Sequence, residues 1–415
     1  MYEFAARIIS KKRLRMLIIL SLSFLAAISV VQGAKNAVRF SQDFQWDAAR
    51  AILERLDPYE ISLDSTKGEE STGLSEFYRL FTDKGLKQKM EANQFPSLLM
   101  MLLPYACMSP IVARYAWLLS NLAFTLGIVW LLRKTFLKDL DLFSYAVLML
   151  LMIAGTPYRN QLGVGQHTLF SFFFFLLAVW LDEKNPEGNG VLITLCMFIS
   201  YFKYTLTAPL TLYLLYRKRF KEFAISVILH CVLTVMSAIW LGKNIIYMIT
   251  APLKVASVLS SEGGLDLGAL VGGGAISVLC GGIVAIALIV IAAMLPKNKE
   301  YILYTILVLW SLILTYHRTY DYFVLSSVGV ILTERLSEDF NKVIAEKISI
   351  FYWILLILIY FGLRIFNENV MSRIVIGAFY YIFTCAVSIL AIILIKKGKG
   401  NGNLSPEKYQ NKIEE

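Results

Sequence analysis

Asp43 and Asp47 stand four residues apart in the run SQDFQWDAARAILERLDPYE (41–60), shortly after a long apolar stretch. On a helix that spacing turns both carboxylates to one face, together with Arg50 and Glu54. A carboxylate at a membrane surface, against a low-dielectric wall, suits a general base that takes a proton from a hydroxyl. Asp43 is equally suited to capping an amphipathic helix, since Asp is a favoured N-cap. The segment TPYRNQLGVGQHT (156–168) sets Arg159, Asn160, Gln161, Gln166 and His167 in one short connection, as a binding site or as a polar turn. Lys203 lies between two apolar runs. A charge inside a span costs about 2.5–3.5 kcal/mol and defaults to a functional role, unless it snorkels to the interface. In TYHRTYDYF (315–323), His317, Arg318 and Asp321 sit among three tyrosines. That group is fit to bind a phosphate or to cap two helices. The stretch 241–267 carries charges without distinctive spacing, and His230, in an apolar run, reads as a packing histidine.

What must position these residues is a bundle of membrane helices. Of 415 residues, 57% are hydrophobic and 17% charged, and mean hydropathy is +0.62. Apolar runs recur from Met16 to Ile395. This excludes a soluble enzyme, a disordered chain and a coiled coil, and leaves an all-α polytopic membrane protein. About twelve spans are expected, near 16–33, 112–132, 142–156, 167–181, 190–203, 204–217, 222–240, 270–294, 301–316, 320–333, 348–366 and 374–395. They form one domain over 1–395, with a large first extracytoplasmic loop at 34–111 and a polar, disordered cytoplasmic tail at 396–415.

The net charge of +10 comes from basic clusters beside the apolar runs, which the positive-inside rule explains without nucleic acid. That rule places RKTFLK (133–138), RKRFK (217–221), PKNK (296–299), 334–347 and KKGKG (396–400) inside with both termini, and the polar clusters outside. The segment 95–110, about 16 residues with three prolines, reads as a juxtamembrane or re-entrant helix on the outer side. Spans 190–203 and 204–217 are two half-length helices meeting at Lys203, an irregularity suited to lining a cavity. The N-terminal KKRLR and apolar run read as a retained signal anchor, with cleavage after the small residues 32–34 as the alternative. The five cysteines read as buried packing residues. GGLDLGALVGGG (263–274) is a flexible entry to a span, with no phosphate-loop pattern.

The run SQDFQWDAARAILERLDPYE resembles the opening motif of the family 87 glycosyltransferases, an Asp-Phe after the first span and a later Asp-Pro-Tyr. NQFPSLLMMLLPY is similar to the family's Tyr-Pro-Pro-Leu segment, although Phe95-Pro96-Ser97 lacks its second proline. GVGQHTLF resembles its Gly-Gln motif, ISYFKYTLTAPLTLYLLYRKR its lysine-bearing pair of short helices, and TYHRTYDYF its late histidine loop. The matches run in order over about residues 10–335 and are weak in the last two spans. The resemblance implies a GT-C fold: a multi-spanning enzyme, usually of the bacterial inner membrane, with its active site on the outer face. It would move a sugar, of mannose or arabinose type, from a polyprenyl-phosphate sugar to a lipid or glycan acceptor, inverting the anomeric centre. The general base maps onto Asp43, with Asp47 second. His317 falls beside the donor phosphate, and Gln166, Lys203, Arg318 and Tyr59 on substrate binding. No cofactor is implied, and no spacing requires a metal, though Asp43 with Asp47 could hold a divalent ion.

Other readings predict other patterns. An O-antigen-type polymerase carries its large outer loop late in the chain. A transporter or flippase spreads charges through its spans and shows internal repeats. A catalytically silent relative acting as a scaffold would keep its cellular role without Asp43.

Overall fold

The structure is a computed structural model that describes residues 12–41, 43–67, 90–259, 265–271, 274–315, 317–362 and 370–402. Every regular element among them is helical. Seven helices are long and apolar enough to cross a membrane, or eight if the bent pair Leu142–Ala154 and Thr156–Val164 counts as one span. This is a polytopic membrane protein.

The basic connections gather at one end of the bundle. Lys138 pairs with Glu183 at 3.9 Å, Arg335 with Asp139 at 2.6 Å and Arg217 with Glu300 at 2.8 Å. Asp182, 2% exposed, is shared by Arg217 and Arg219, and Lys299 pairs with Asp339. The Arg15 guanidinium lies 5.0 Å over the Phe143 ring. Residues 43–50, 91–106, 164–168, 203–205 and 318–321 are joined to one another in a second region, described below.

One of the seven long helices, Gly190–Tyr216, does not run straight. A straight helix of that length would hold its ends about 39 Å apart. Instead Asn189 donates to Leu181 O at 2.9 Å, while Arg217 and Arg219 both reach the adjacent Asp182. The chain turns back at a 3-10 turn, Tyr201–Lys203, where Lys203 leaves the helical region at φ −109°, ψ 64°. Thr207 Oγ1 and Thr211 Oγ1 close the bend on Ser200 O and Tyr201 Oη, both at 2.9 Å. The two half-length helices expected from the sequence are therefore a hairpin with Lys203 at its tip.

The centre is built from Glu300–Leu314 and Thr319–Leu332, whose residues are almost all buried. An apolar helix with no polar face belongs inside a bundle. The second is a 3-10 helix of 14 residues, unusually long for that class. At roughly 2.0 Å per residue it covers about 28 Å, close to a bilayer's hydrocarbon thickness. Helices such as Gly274–Met294 turn Val278 and Leu279 outward, as lipid contact requires.

Several boundaries differ from expectation. The first helix runs Lys12–Arg39, six residues beyond the expected span, and the last runs Val370–Gly402, so 396–402 is helix and not disordered tail; 403–415 lies outside the described residues. The segment 95–110, as expected, does not cross: before the long helix that begins at Pro110 it holds Pro96–Met101 and Leu103–Ala106, each far too short. TPYRNQLGV is a helix, not a loop: extended backbone at Gly155 ends the preceding helix and Pro157 starts the next, bent by 49°. Of the cysteines only Cys196 is buried; Cys107, Cys231 and Cys385 are exposed, on an apolar exterior where a thiol is at home.

Candidate active site

The loop that carries Asp43 is fixed from several sides. Ser41 and Gln45 both take left-handed backbone, φ 34° and 63°, at a cost of about 1–3 kcal/mol each. Ser41 Oγ donates to Ala37 O at 2.5 Å and Gln45 Nε2 to Glu91 O at 2.8 Å, which hold these conformations. The Asp43 N–H donates to Val164 O at 2.9 Å. Phe44 stacks on Trp117 at 4.9 Å and 12°, and its carbonyl accepts from His167 Nε2 at 3.0 Å. Trp117 Nε1 in turn donates to Gly165 O at 2.8 Å.

Gly165 is the pivot of this arrangement. Its φ is +71°, and a Cβ there would lie 3.2 Å from Ser41 Oγ. Gly165→Ala is therefore expected to destabilise the protein by about 1–2 kcal/mol through left-handed strain. It should also lower activity by displacing the Asp43 loop. A thermal-unfolding scan in detergent checks the first; an unchanged transition would mean that the contact is not tight.

Asp43 lines a cavity of ≈ 150 Å³ together with Gln45, Glu91, Asn93, Gln94, Gln166, Lys203, Arg318 and Tyr320. Gln166 Nε2 lies 3.4 Å from Asp43 Oδ2 and 2.8 Å from Tyr320 Oη, and Gln166 Oε1 accepts from His167 N at 2.9 Å. The Lys203 ammonium is 5.6 Å from the Tyr320 ring centre. Burial pushes the Asp43 carboxyl up to about 6. Lys203, Arg318 and the Tyr320 hydroxyl pull it back down, and Glu91 pushes it further up. A carboxylate poised there matches general-base work near neutral pH.

Behind this wall Asp321, 0% exposed, ties three elements together. It accepts from Thr168 Oγ1, at the start of one helix, and from His317 Nδ1 at 2.7 Å. Lys203 Nζ, at the hairpin tip, lies 3.5 Å from its Oδ2. His317 Nε2 is 3.3 Å from Thr315 Oγ1.

Of the residues singled out from sequence, Asp43, Gln166, Lys203 and Arg318 meet in the cavity. His317, 1% exposed, is not among the lining residues and is linked to Lys203 there through Asp321. Asp47 does not share a face with Asp43. The helix begins at Trp46 with Gln45 as its N-cap, so Asp43 lies in the turn before it and caps nothing, while Asp47 interacts electrostatically with Arg114. Tyr59 is buried away from the cavity and donates to Gln94 O at 2.8 Å, supporting the wall. Among the described residues no three His, Cys, Asp or Glu side chains group as metal ligands. The cavity members that no spacing announced are Gln45, Glu91, Asn93, Gln94 and Tyr320. His230 is satisfied as expected, by Ser97 Oγ at 3.0 Å and Phe198 O at 2.9 Å.

Residues 96–316 match the sequence profile of glycosyltransferase family 87, over half of the chain. The chain belongs to glycosyltransferase family 87. It is thus a membrane glycosyltransferase, consistent with hexosyl transfer, and works with a sugar donor and an acceptor. Gln166 and Lys203 fall inside the matched segment; Asp43, His317 and Arg318 fall outside it. No curated protein and no solved structure gives a match.

Proposed function

We propose that this glycosyltransferase takes a mannose-like sugar from a polyprenyl-phosphate sugar and passes it to a lipid or glycan acceptor at the outer membrane face. The observation that carries the reading is the junction of two spaces. The polar cavity shares Tyr204 with an apolar groove of ≈ 490 Å³, lined by Phe95, Leu98, Val227, His230 and Ile249. Phe95 and Tyr204 rings, 5.1 Å apart, stand at the join. A prenyl chain fits the groove and the phosphate-linked sugar fits the cavity; a nucleotide sugar has no use for the groove.

Twelve crossing segments are the topology this reading needs. The hairpin contributes two, the bent pair one and the long 3-10 helix one. The cluster of basic connections would then lie in the cytoplasm with both termini, and the cavity outside. The membrane would be a cell membrane, the bacterial inner membrane by family resemblance.

Asp43 acts as the base. It accepts the proton of the acceptor hydroxyl while that oxygen attacks the anomeric carbon. The bond from carbon to the phosphate oxygen breaks and its electron pair stays on the phosphate. Lys203 and Arg318 stabilise the charge that develops there. Among the described residues the lining carries two cations and two carboxylates, Lys203 and Arg318 with Asp43 and Glu91, so their charges balance before the donor arrives. One displacement inverts the anomeric centre.

The pH dependence follows with its sign. The base works ionised, so kcat/KM should fall tenfold per pH unit below about 6. A bound phosphate monoanion adds negative charge beside Asp43, so the corresponding limb of kcat should lie higher. Rates measured from pH 4.5 to 8 check both; a flat profile would remove Asp43 from the rate-determining proton transfer.

Donor class is tested with purified protein in nanodiscs, a total lipid extract, and radiolabelled polyprenyl-phosphate sugars beside nucleotide sugars. Label should move only from the former. Transfer from a nucleotide sugar alone would overturn the reading. Val227→Trp, which fills the groove, should raise KM for a long-chain donor about tenfold and leave a short-chain donor unaffected, as steady-state kinetics would show.

A further inference from the structure

A groove of ≈ 890 Å³ runs between three helices, Lys12–Arg39, Leu142–Ala154 and Lys342–Ile357, and shares no lining residue with the polar cavity or its apolar neighbour. It follows residues 15–22, 141–151 and 350–357, a length of about 10–15 Å at the rise of a helix. That is the depth of one leaflet, half of a hydrocarbon core about 30 Å thick. Leu17, Ile354 and Ile357 on its rim are exposed, so it opens sideways to the bilayer. Apart from Ser21 and Ser144 the lining is apolar, except at one end, where Arg15 and Asp141 stand.

These two charges face the same space. The Arg15 guanidinium lies 5.0 Å over the ring of Phe143, two residues past Asp141. Asp141 caps its helix through one oxygen: Oδ1 accepts from Phe143 N at 3.0 Å and from Ser144 N at 3.1 Å, and the residue stays exposed. Partial burial pushes its carboxyl up, but Ser144, the Phe143 N–H and Arg15 more than offset this, so it lies below the usual carboxylate range. Arg15 has five N–H donors, so one partner does not use it up. A cation beside an anion, at the head of a groove as deep as an acyl chain, matches a head group that carries both signs. A polyprenyl phosphate or a phosphatidylglycerol brings no cation to Asp141, and the trimethylammonium of a phosphatidylcholine has no N–H to donate. We propose that this groove binds a phosphatidylethanolamine, its phosphate on Arg15, its primary ammonium on Asp141 and its acyl chains along the apolar walls. The site needs only a bilayer around the helices and is independent of the donor class proposed above.

Full-chain protein in detergent, stripped of co-purified lipid, is titrated in turn with phosphatidylethanolamine, phosphatidylglycerol, phosphatidylcholine and farnesyl phosphate, and bound lipid is resolved by native mass spectrometry. Wild type should bind phosphatidylethanolamine about tenfold more tightly than the other three, as one charge-assisted hydrogen bond would give. Asp141→Asn should bring that affinity down to the phosphatidylglycerol value while still capping the helix, because Asn is an equally good N-cap. Arg15→Gln should weaken all three phospholipids about tenfold. Leu17→Trp, at an exposed rim position, should fill the groove and weaken phosphatidylethanolamine, and it keeps the test open if a charge variant fails to fold. Equal affinities for every lipid in wild type, or a preference that survives Asp141→Asn, would overturn the site. Unchanged binding in Leu17→Trp would place the lipid elsewhere and overturn it too. Tighter binding of phosphatidylglycerol or farnesyl phosphate would give the groove another occupant and do the same.

Discussion

Asp43→Asn is expected to lower kcat by 10²–10⁴-fold, the usual contribution of a general base. Asn keeps the shape and the backbone bond to Val164 O, so the loop should stay in place. Donor affinity should hold or improve, because a carboxylate beside a phosphate repels it. Stability should not suffer either. Asp43 titrates near 6 in the fold against 3.8 unfolded, so the folded state favours the protonated form. The stability this gives is present below pH 3.8 and lost as pH rises through about 6. A neutral side chain therefore removes a penalty at pH 7. A large fall in kcat with intact Kd for the donor identifies the base, whereas a comparable fall in Asp47→Asn would move the role along the chain.

The second large effect is expected at Asp321. Asp321→Ala leaves Lys203 without its carboxylate and His317 Nδ1 and Thr168 without their acceptor, all in a buried setting. Breaking a buried pair from one side costs about 3–5 kcal/mol. Both stability and transfer should fall. Asp321→Asn keeps the acceptor oxygen and loses the charge, and separates the two roles. As a positioning residue for Lys203, which stabilises the charge developing on the leaving phosphate, it should lower kcat more than it raises KM for the donor. The double variant Asp321→Asn with Lys203→Met should be less impaired than the sum of the singles, because the two groups act as one unit. Additive effects would show that Asp321 is structural only.

How much of this could be read from residues alone depended on the kind of signal. The basic clusters beside apolar runs are legible in the sequence, and they put Asp43, Gln166, Lys203 and Arg318 on one side. Lys203 stood out because a charge between two short apolar runs is costly, and the hairpin turns back at that point. The pairing of Asp43 with Asp47 failed for a local reason. A four-residue spacing assumes helix, but the helix starts at Trp46, after the left-handed Gln45.

His317 and Asp321 were visible as a cluster, yet their order was not. Only packing shows Asp321 between His317 and Lys203, with His317 set back from the cavity. Gln45, Asn93 and Gln94 give no signal, because Gln and Asn in a polar loop have neither periodicity nor charge. Span counting is limited in the same way. A length-and-composition count over the described residues reaches seven or eight, since Thr168–Lys184, Glu300–Leu314 and Thr319–Leu332 are short and the hairpin counts once.

The most direct test of the central claim is the anomeric configuration of the product. Wild-type protein in nanodiscs is supplied with a polyprenyl-phosphate sugar of known anomer, and the new linkage is assigned by NMR. A single displacement with Asp43 as base predicts the opposite anomer from the donor, with no sugar attached to the protein at any stage. Retention of configuration, with sugar trapped covalently on Asp43, would make that residue the nucleophile and contradict the account.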